Sequence, residues 1–160
     1  MKSKIRIKRK PDRADDTLAN LHNHLRGASL VKVGLPRGSN EYPDGTSVIK
    51  VGVVHEFGAR ISRTGVNGPY EIIIPERSFL RTTLQQNKKA YKALIKKLLL
   101  KVIINRLSTI EALETVGLKV QTDVREKITD IDQPPLKHRD GNPLVDTGHL
   151  RQSITYQVDE

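Results

Sequence analysis

Apolar residues recur every three or four positions in three parts of the chain, which predicts three amphipathic helices. They are residues 12–26, residues 78–107 and a further segment that starts at Ser108. Ser108 and Glu111 have the spacing of a capping box, so the third helix is predicted to be separate from the second. The apolar positions of the first helix are Ala14, Leu18, Leu21 and Leu25.

Other segments alternate apolar and polar residues or concentrate Val and Ile, which favours strands. The predicted strands are residues 29–35, 47–57, 70–74 and 153–158. Glycine, proline and asparagine are frequent in residues 36–46 and 58–69, and both are predicted to be loops. Segments 47–57 and 70–74 are therefore expected to form a hairpin with an extended functional tip.

Helices and strands are interleaved without a regular strand–helix–strand alternation, which predicts the α+β class. We expect a small, mostly antiparallel sheet with a long helix packed on one face, and extended loops. Residues 1–11 form a predicted basic arm, and residues 12–160 are expected to form one domain.

The composition narrows the function classes. With no cysteine among 160 residues, disulfide scaffolds, zinc ribbons and thiol catalysis are excluded. The longest apolar run, residues 98–104, is interrupted by Lys101 and is too short to span a bilayer, so no membrane partner is expected. The basic start lacks the apolar segment of a secretory signal, and we expect a protein made in a cytosol.

The net charge of +10 is unevenly distributed. Nine basic residues and no acidic residue lie between Arg77 and Arg106, whereas residues 111–132 contain six acids and three bases. A large positive field favours binding to nucleic acid, to an acidic membrane or to an acidic protein partner, and it does not distinguish between them. One basic and one acidic helix also suit pairing between copies of the chain, head to tail.

The residues that invite a catalytic interpretation do not form a catalytic pattern. His22 and His24 lie on the first predicted helix, without the spread ligands of a metal nuclease. His55 and Glu56 resemble the start of a zinc-protease helix, but position 59 is alanine rather than histidine. We therefore predict a protein that is not an enzyme and has no cofactor or metal.

Three stretches, taken in order, resemble the neck and tail-completion proteins of tailed bacteriophages, including head–tail joining proteins and Mu-type virion morphogenesis proteins. They are residues 53–58 (VVHEFG), 74–81 (IPERSFLR) and 143–154 (PLVDTGHLRQSI), and the third is the most specific. In these families the arginine of the second stretch is commonly followed by proline, where this chain has Ser78. Ser78 is expected to cap the long helix instead.

The resemblance implies a structural protein of the virion neck, made in the host cytoplasm. It implies a homo-oligomeric ring, a hexamer or a dodecamer, that contacts the head–tail connector and the tail tube or terminator. Non-specific contact with exiting DNA is a further expectation.

The candidate residues divide into two groups. Those expected to build the fold are Glu56, Gly58, Pro75, Phe79, Asp146, Thr147, Gly148 and Leu150. Asp146 or Thr147 is expected to cap a short turn. Those expected to contact a neighbouring subunit are Arg60, Arg63, Arg77, Arg81 and Arg151. For Arg60 and Arg63 the expected partners are acids of the neighbour, namely Glu111, Glu114 or Glu126.

Two other functions remain open. A basic DNA-binding accessory protein is favoured by the net charge and by the lysines at 88, 92 and 96, which share one helix face. A metal-dependent nuclease built on His22, His24 or His55 is the less favoured alternative.

Overall fold

A computed structural model describes residues 30–36, 38, 41–66, 68–104, 106–136 and 141–159. The predicted basic arm 1–11 and the predicted helix 12–26, with His22 and His24, lie outside the described residues. The elements, in chain order, are β1 (Leu30–Gly34), α1 (Val48–Phe57), β2 (Ala59–Gly65), β3 (Gly68–Ile74), α2 (Leu80–Ile103), α3 (Thr109–Asp130), α4 (His149–Ser153) and β4 (Thr155–Asp159). The predicted α+β class is confirmed.

The two terminal strands of the described chain form one antiparallel sheet. β1 pairs with β4, and Lys32 lies opposite Gln157. Helix α3 packs on both strands, and α2 packs on α3. The core lies where these elements meet α1 and α4, and it consists of Val48, Phe79, Val124, Ile128, Ile131, Leu144, Leu150 and Ile154. Side chains of α3 also form hydrogen bonds to the backbone just before β4. Gln121 Nε2 and Arg125 donate to the Ile154 carbonyl at 2.9 and 2.7 Å.

The strand predicted for residues 47–57 is wrong, because this segment is helix α1. Val48, Gly52 and Glu56 are its buried residues, spaced four apart as on one face of a helix. Two of these three residues are a glycine and a glutamate. A search for a helical repeat of apolar residues does not count them, so the buried face of this helix was not detected. The many β-branched residues favour a strand, but tertiary contacts on the buried face override this preference.

The loop predicted for residues 58–69 is also wrong in most of its length. Residues 59–65 form strand β2, which pairs in antiparallel register with β3. The hairpin therefore joins β2 to β3 through a tight turn at Val66, rather than joining 47–57 to 70–74. It forms a second two-stranded sheet, separate from β1–β4. By contrast, the described residues of the predicted loop 36–46, namely 36, 38 and 41–46, contain no helix or strand, and Glu41 forms an isolated bridge with Ser47.

The two long predicted helices are present. The capping box of α3 forms, since Ser108 Oγ accepts from the Glu111 amide at 3.1 Å and the Glu111 carboxylate accepts from the Ser108 amide at 2.8 Å. Between the helices, Tyr91 donates its hydroxyl hydrogen to Asp123 at 2.9 Å, and Lys119 donates to the same carboxylate at 2.6 Å. Burial, with this bond to Asp123, raises the pKa of Tyr91.

Helix α3 lies very close to the β1–β4 sheet at Gly117. A β-carbon there would lie 2.6 Å from Cδ2 of Tyr156 and 3.0 Å from Cγ2 of Val31. No real side chain tolerates the first of these distances, so the helix can approach the sheet this closely only with glycine.

We predict that Gly117→Ala destabilises the fold by about 1–3 kcal/mol, because the overlap with Tyr156 outweighs the ~1 kcal/mol helix-propensity gain of alanine. Urea unfolding monitored by circular dichroism measures the change. Thr122→Ala, on the exposed face of the same helix, is the control and should change stability by less than about 0.5 kcal/mol. Equal stability of the two variants would contradict the close approach.

Candidate functional site

The first two motifs of the sequence meet at the buried carboxylate of Glu56. This residue is near the end of α1, and its side chain points at the first turn of α2. Oε2 accepts from the amides of Phe79 and Leu80, each at 2.9 Å. Oε1 accepts from the Arg81 amide at 3.0 Å and from the Ser78 hydroxyl at 2.8 Å. Glu56 is therefore the cap of α2, supplied from another helix.

The pKa of Glu56 reflects two opposed effects. Burial raises the pKa, and the hydrogen bonds from the amides of Arg81, Leu80 and Phe79 and from the Ser78 hydroxyl lower it. The hydrogen bonds prevail, and the pKa lies below the ordinary glutamate value. The positive end of the helix dipole favours the same ionised form.

Ser78 therefore has a different role from the predicted one. The N-cap position of α2 is Phe79, which has no side-chain cap bond. Ser78 donates to the capping carboxylate instead of capping the helix itself. Phe79 is fully buried in the core, as expected for a fold-building residue.

Arg81 encloses the other side of Glu56. Its Nε donates to Glu56 Oε1 at 3.1 Å, and its terminal nitrogen donates to the Glu56 carbonyl at 2.6 Å. It also pairs with Glu76 at 2.8 Å, and its guanidinium lies 4.7 Å from the ring centre of Phe57. Arg81 thus serves the subunit's own structure, although almost half of its side chain is exposed.

Arg77, predicted to contact a neighbour, is only 5% exposed. Its guanidinium donates to the carbonyl of Pro134 at 2.7 and 2.9 Å and to that of Pro135 at 3.3 Å. Its amide donates to the His55 carbonyl at 2.7 Å. In this structure Arg77 therefore ties the start of α2 to α1 and to the segment after α3, and its guanidinium is used within the subunit.

Gly58 and Pro75 connect this cluster to the β2–β3 hairpin. Gly58 has a φ of 72°, and a β-carbon there would lie 3.1 Å from both the Glu76 nitrogen and the Ile74 carbonyl oxygen. Any other residue would be strained in this conformation and crowded by the returning strand. The base of the hairpin is thus attached tightly to the Glu56 cluster.

The third motif forms the short helix α4 and the turn before it. Gly148 is the N-cap residue of this helix and has a left-handed φ of 78°, which glycine adopts without strain. Leu150 is buried in the core at 2% exposure. Arg151 is exposed, and its guanidinium lies 3.4 Å from the Thr129 hydroxyl.

A cleft of about 260 Å³ lies between α1 and the third motif. The rings of Tyr42 and His149 lie 5.3 Å apart at its wall. His55 also lines it, and its Nδ1 has no hydrogen-bond partner. Burial, with the nearby Arg77 charge, lowers the pKa of His55. Among the described residues, no three His, Asp or Glu side chains are grouped to hold a metal ion.

The β2–β3 hairpin has one apolar and one polar face. Directly paired residues share a face. Ile61 pairs with Ile72 and Arg63 with Tyr70, so these residues form what we call the apolar hairpin face, together with Ala59 and Ile74. The opposite face contains the pairs Arg60–Ile73 and Ser62–Glu71. Arg60 and Glu71 approach to 3.7 Å across it.

Much of the apolar hairpin face is open to solvent. Tyr70 is 52% exposed and Ile72 is 40% exposed. The hairpin packs chiefly on itself, without extensive packing on any other described element. Two-stranded hairpins are at best marginally stable in water unless their apolar face is covered.

Sequence reasoning missed this face because it treated residues 58–69 as a loop. The available signal was the alternation of Ala59 and Ile61 with the polar residues Arg60 and Ser62. The predicted interface arginines Arg60 and Arg63 are thus on opposite faces of one hairpin and not on a flexible loop.

Charges are separated between the two long helices. α2 exposes a row of lysines, namely Lys88, Lys89, Lys92, Lys96, Lys97 and Lys101. α3 exposes Glu111, Glu114, Glu126 and Asp130. The exposed charge is therefore positive along α2 and mostly negative along α3.

Comparisons of the chain with protein-family models, with curated proteins and with solved structures found no match. Within the described part of the chain, the helices lack the combination of length and apolar character needed to cross a bilayer.

We predict that Glu56→Gln destabilises the protein by about 2–4 kcal/mol at pH 7, because the amide loses charge-assisted bonds and adds a donor facing donors. The folded pKa of Glu56 is depressed, so its stabilisation is full above the ordinary pKa and declines as pH falls through the folded value. The difference between wild type and variant should therefore shrink below about pH 4.

Urea unfolding at several pH values measures this difference. Glu76→Gln is the control, because Glu76 is exposed and makes one surface ion pair, and its effect should stay below about 1 kcal/mol. A Glu56→Gln variant as stable as wild type at pH 7 would contradict the capping role.

Proposed function

We propose that this protein is a structural component of a bacteriophage neck, which completes the tail and joins it to the head as part of a homo-oligomeric ring. The observation that carries the proposal is the apolar hairpin face, which is exposed on a hairpin held out from a firmly built base. The resemblance of the three sequence motifs to neck and tail-completion proteins supports the same function.

A second copy of the chain is the proposed partner of the hairpin. The hairpin and the body of the subunit are different surfaces, so the contact is head to tail and closes into a ring at a suitable rotation. Arg63, at the edge of the apolar hairpin face, is exposed and can pair with an acid of the neighbour. The acidic surface of α3 supplies Glu111, Glu114 and Glu126 for this contact.

The direct test of the neck function is a particle assembled without this protein. We expect filled heads and separate tails that do not join stably, as seen by electron microscopy. Complete and infectious particles would overturn the proposal.

We predict that Ile72→Asp leaves a folded subunit that no longer forms the ring, because a carboxylate on the apolar hairpin face cannot be buried against a neighbour. Ile73→Asp is the matched control on the opposite face. Ile73 is 56% exposed and Ile72 is 40% exposed. Light scattering gives the mass, and circular dichroism confirms the fold. A ring formed by the Ile72→Asp chain, or lost equally in both variants, would contradict the proposed contact.

A second candidate function is binding of duplex DNA, which the exposed lysine row of α2 favours. Positive charges along one helix attract phosphates without reading sequence. Within the neck, the same row can face DNA that passes through the ring.

If the lysine row binds DNA, affinity should fall by roughly a hundredfold or more between 50 and 200 mM salt. Replacing Lys88, Lys92 and Lys96 with glutamine should reduce the slope of log affinity against log salt by about 2 to 3. Fluorescence anisotropy with a labelled duplex measures both. No binding at low salt, or a slope unchanged by the three substitutions, would remove this function.

A further inference from the structure

An apolar groove lies on the side of the molecule formed by β1, α2 and α3. It has a volume of about 410 Å³ and is distinct from the hairpin and from the His55 cleft. Its lining is almost entirely apolar: Val31, Val33, Leu80, Arg81, Leu84, Tyr91, Ile95, Val116, Val120 and Val124. Leu84 and Ile95 are 58% and 48% exposed. Apolar side chains exposed together in this way mark a binding surface.

We propose that residues 12–26 of the same chain form a helix that lies in this groove. The apolar positions Ala14, Leu18, Leu21 and Leu25 give that helix a single apolar face, which suits an apolar groove. The inference does not depend on the proposed neck function.

The lengths agree. A helix of 15 residues is about 22 Å long at 1.5 Å per residue. The α2 wall of the groove extends from Leu80 to Ile95, which is the same distance along a helix axis.

The connection between the proposed helix and β1 is short. Strand β1 begins at Leu30, and Val31 and Val33 of that strand line the groove. Three residues, 27–29, separate the proposed helix from β1, and they reach at most about 10 Å. A helix tethered so closely to the groove has a high effective concentration there, which favours it over a second copy of the chain.

Charge supports the same placement. Asp12, Asp15 and Asp16 outnumber Arg13 in the first turns of the proposed helix. Lys88 follows Leu84 by four residues and precedes Tyr91 by three, so it lies beside the groove on α2. The net negative charge of these turns is opposite to the charge of Lys88.

Because the chain contains no cysteine, single cysteines can report on the groove. Leu84→Cys is placed in the groove. Leu118→Cys is the matched control on α3 outside it, since Leu118 is 56% exposed and Leu84 is 58% exposed. In the full chain we expect a maleimide to label Leu84→Cys about tenfold more slowly than Leu118→Cys. Equal rates would overturn the proposal.

The helix is tested from its own side in the same way. Leu21→Cys should be protected about tenfold relative to Asn20→Cys, its neighbour on a different helix face, and neither change needs to destabilise the fold. Equal labelling of the two would overturn the proposal. The protection of both groove and helix cysteines should persist when the protein is diluted to a monomer. Protection that is lost on dilution would show that a second copy covers the groove, and this result would also overturn the proposal.

Discussion

The fold depends on one buried carboxylate. Glu56 accepts the free amides at the start of α2 while sitting near the end of α1, so the two helices cannot be positioned independently. Charge-assisted bonds at a helix N-terminus are strong, and a buried carboxylate without them would be costly. Arg81 and Arg77 extend the same cluster, Arg81 to Glu76 at the base of the hairpin and Arg77 to the segment after α3.

This cluster explains how a small subunit can present an exposed hairpin in a defined direction. Strand β2 begins directly after Gly58, and β3 ends directly before Pro75. Gly58 lies against Ile74 and Glu76, so both ends of the hairpin meet at the cluster. The base of the hairpin is therefore in close contact with the Glu56 cluster, whereas Tyr70 and Ile72 on its apolar face are exposed. A base fixed by such contacts reduces the entropy lost when the hairpin binds a partner.

The sequence predicted the elements whose signals are local. The capping box at Ser108 and the apolar stripe of α3 identified that helix, and alternation identified β1. Segment 47–57 failed because a short apolar run has the same composition in a buried strand and a buried helix. Glu56 was recognised as a motif residue, but its role as a cap on α2 depends on contacts across more than twenty residues. The use of Arg77 within the subunit likewise follows from folding, because its acceptors Pro134 and Pro135 are distant in the chain.

The central claim is that the β2–β3 hairpin is completed by a neighbouring copy. Hydrogen exchange of the hairpin amides, measured on the full chain as a dilute monomer and as the assembled ring, tests it most directly. The account predicts rapid exchange of the hairpin amides in the monomer and strong protection in the ring, with α3 protected in both. Hairpin amides protected equally in both states would contradict it.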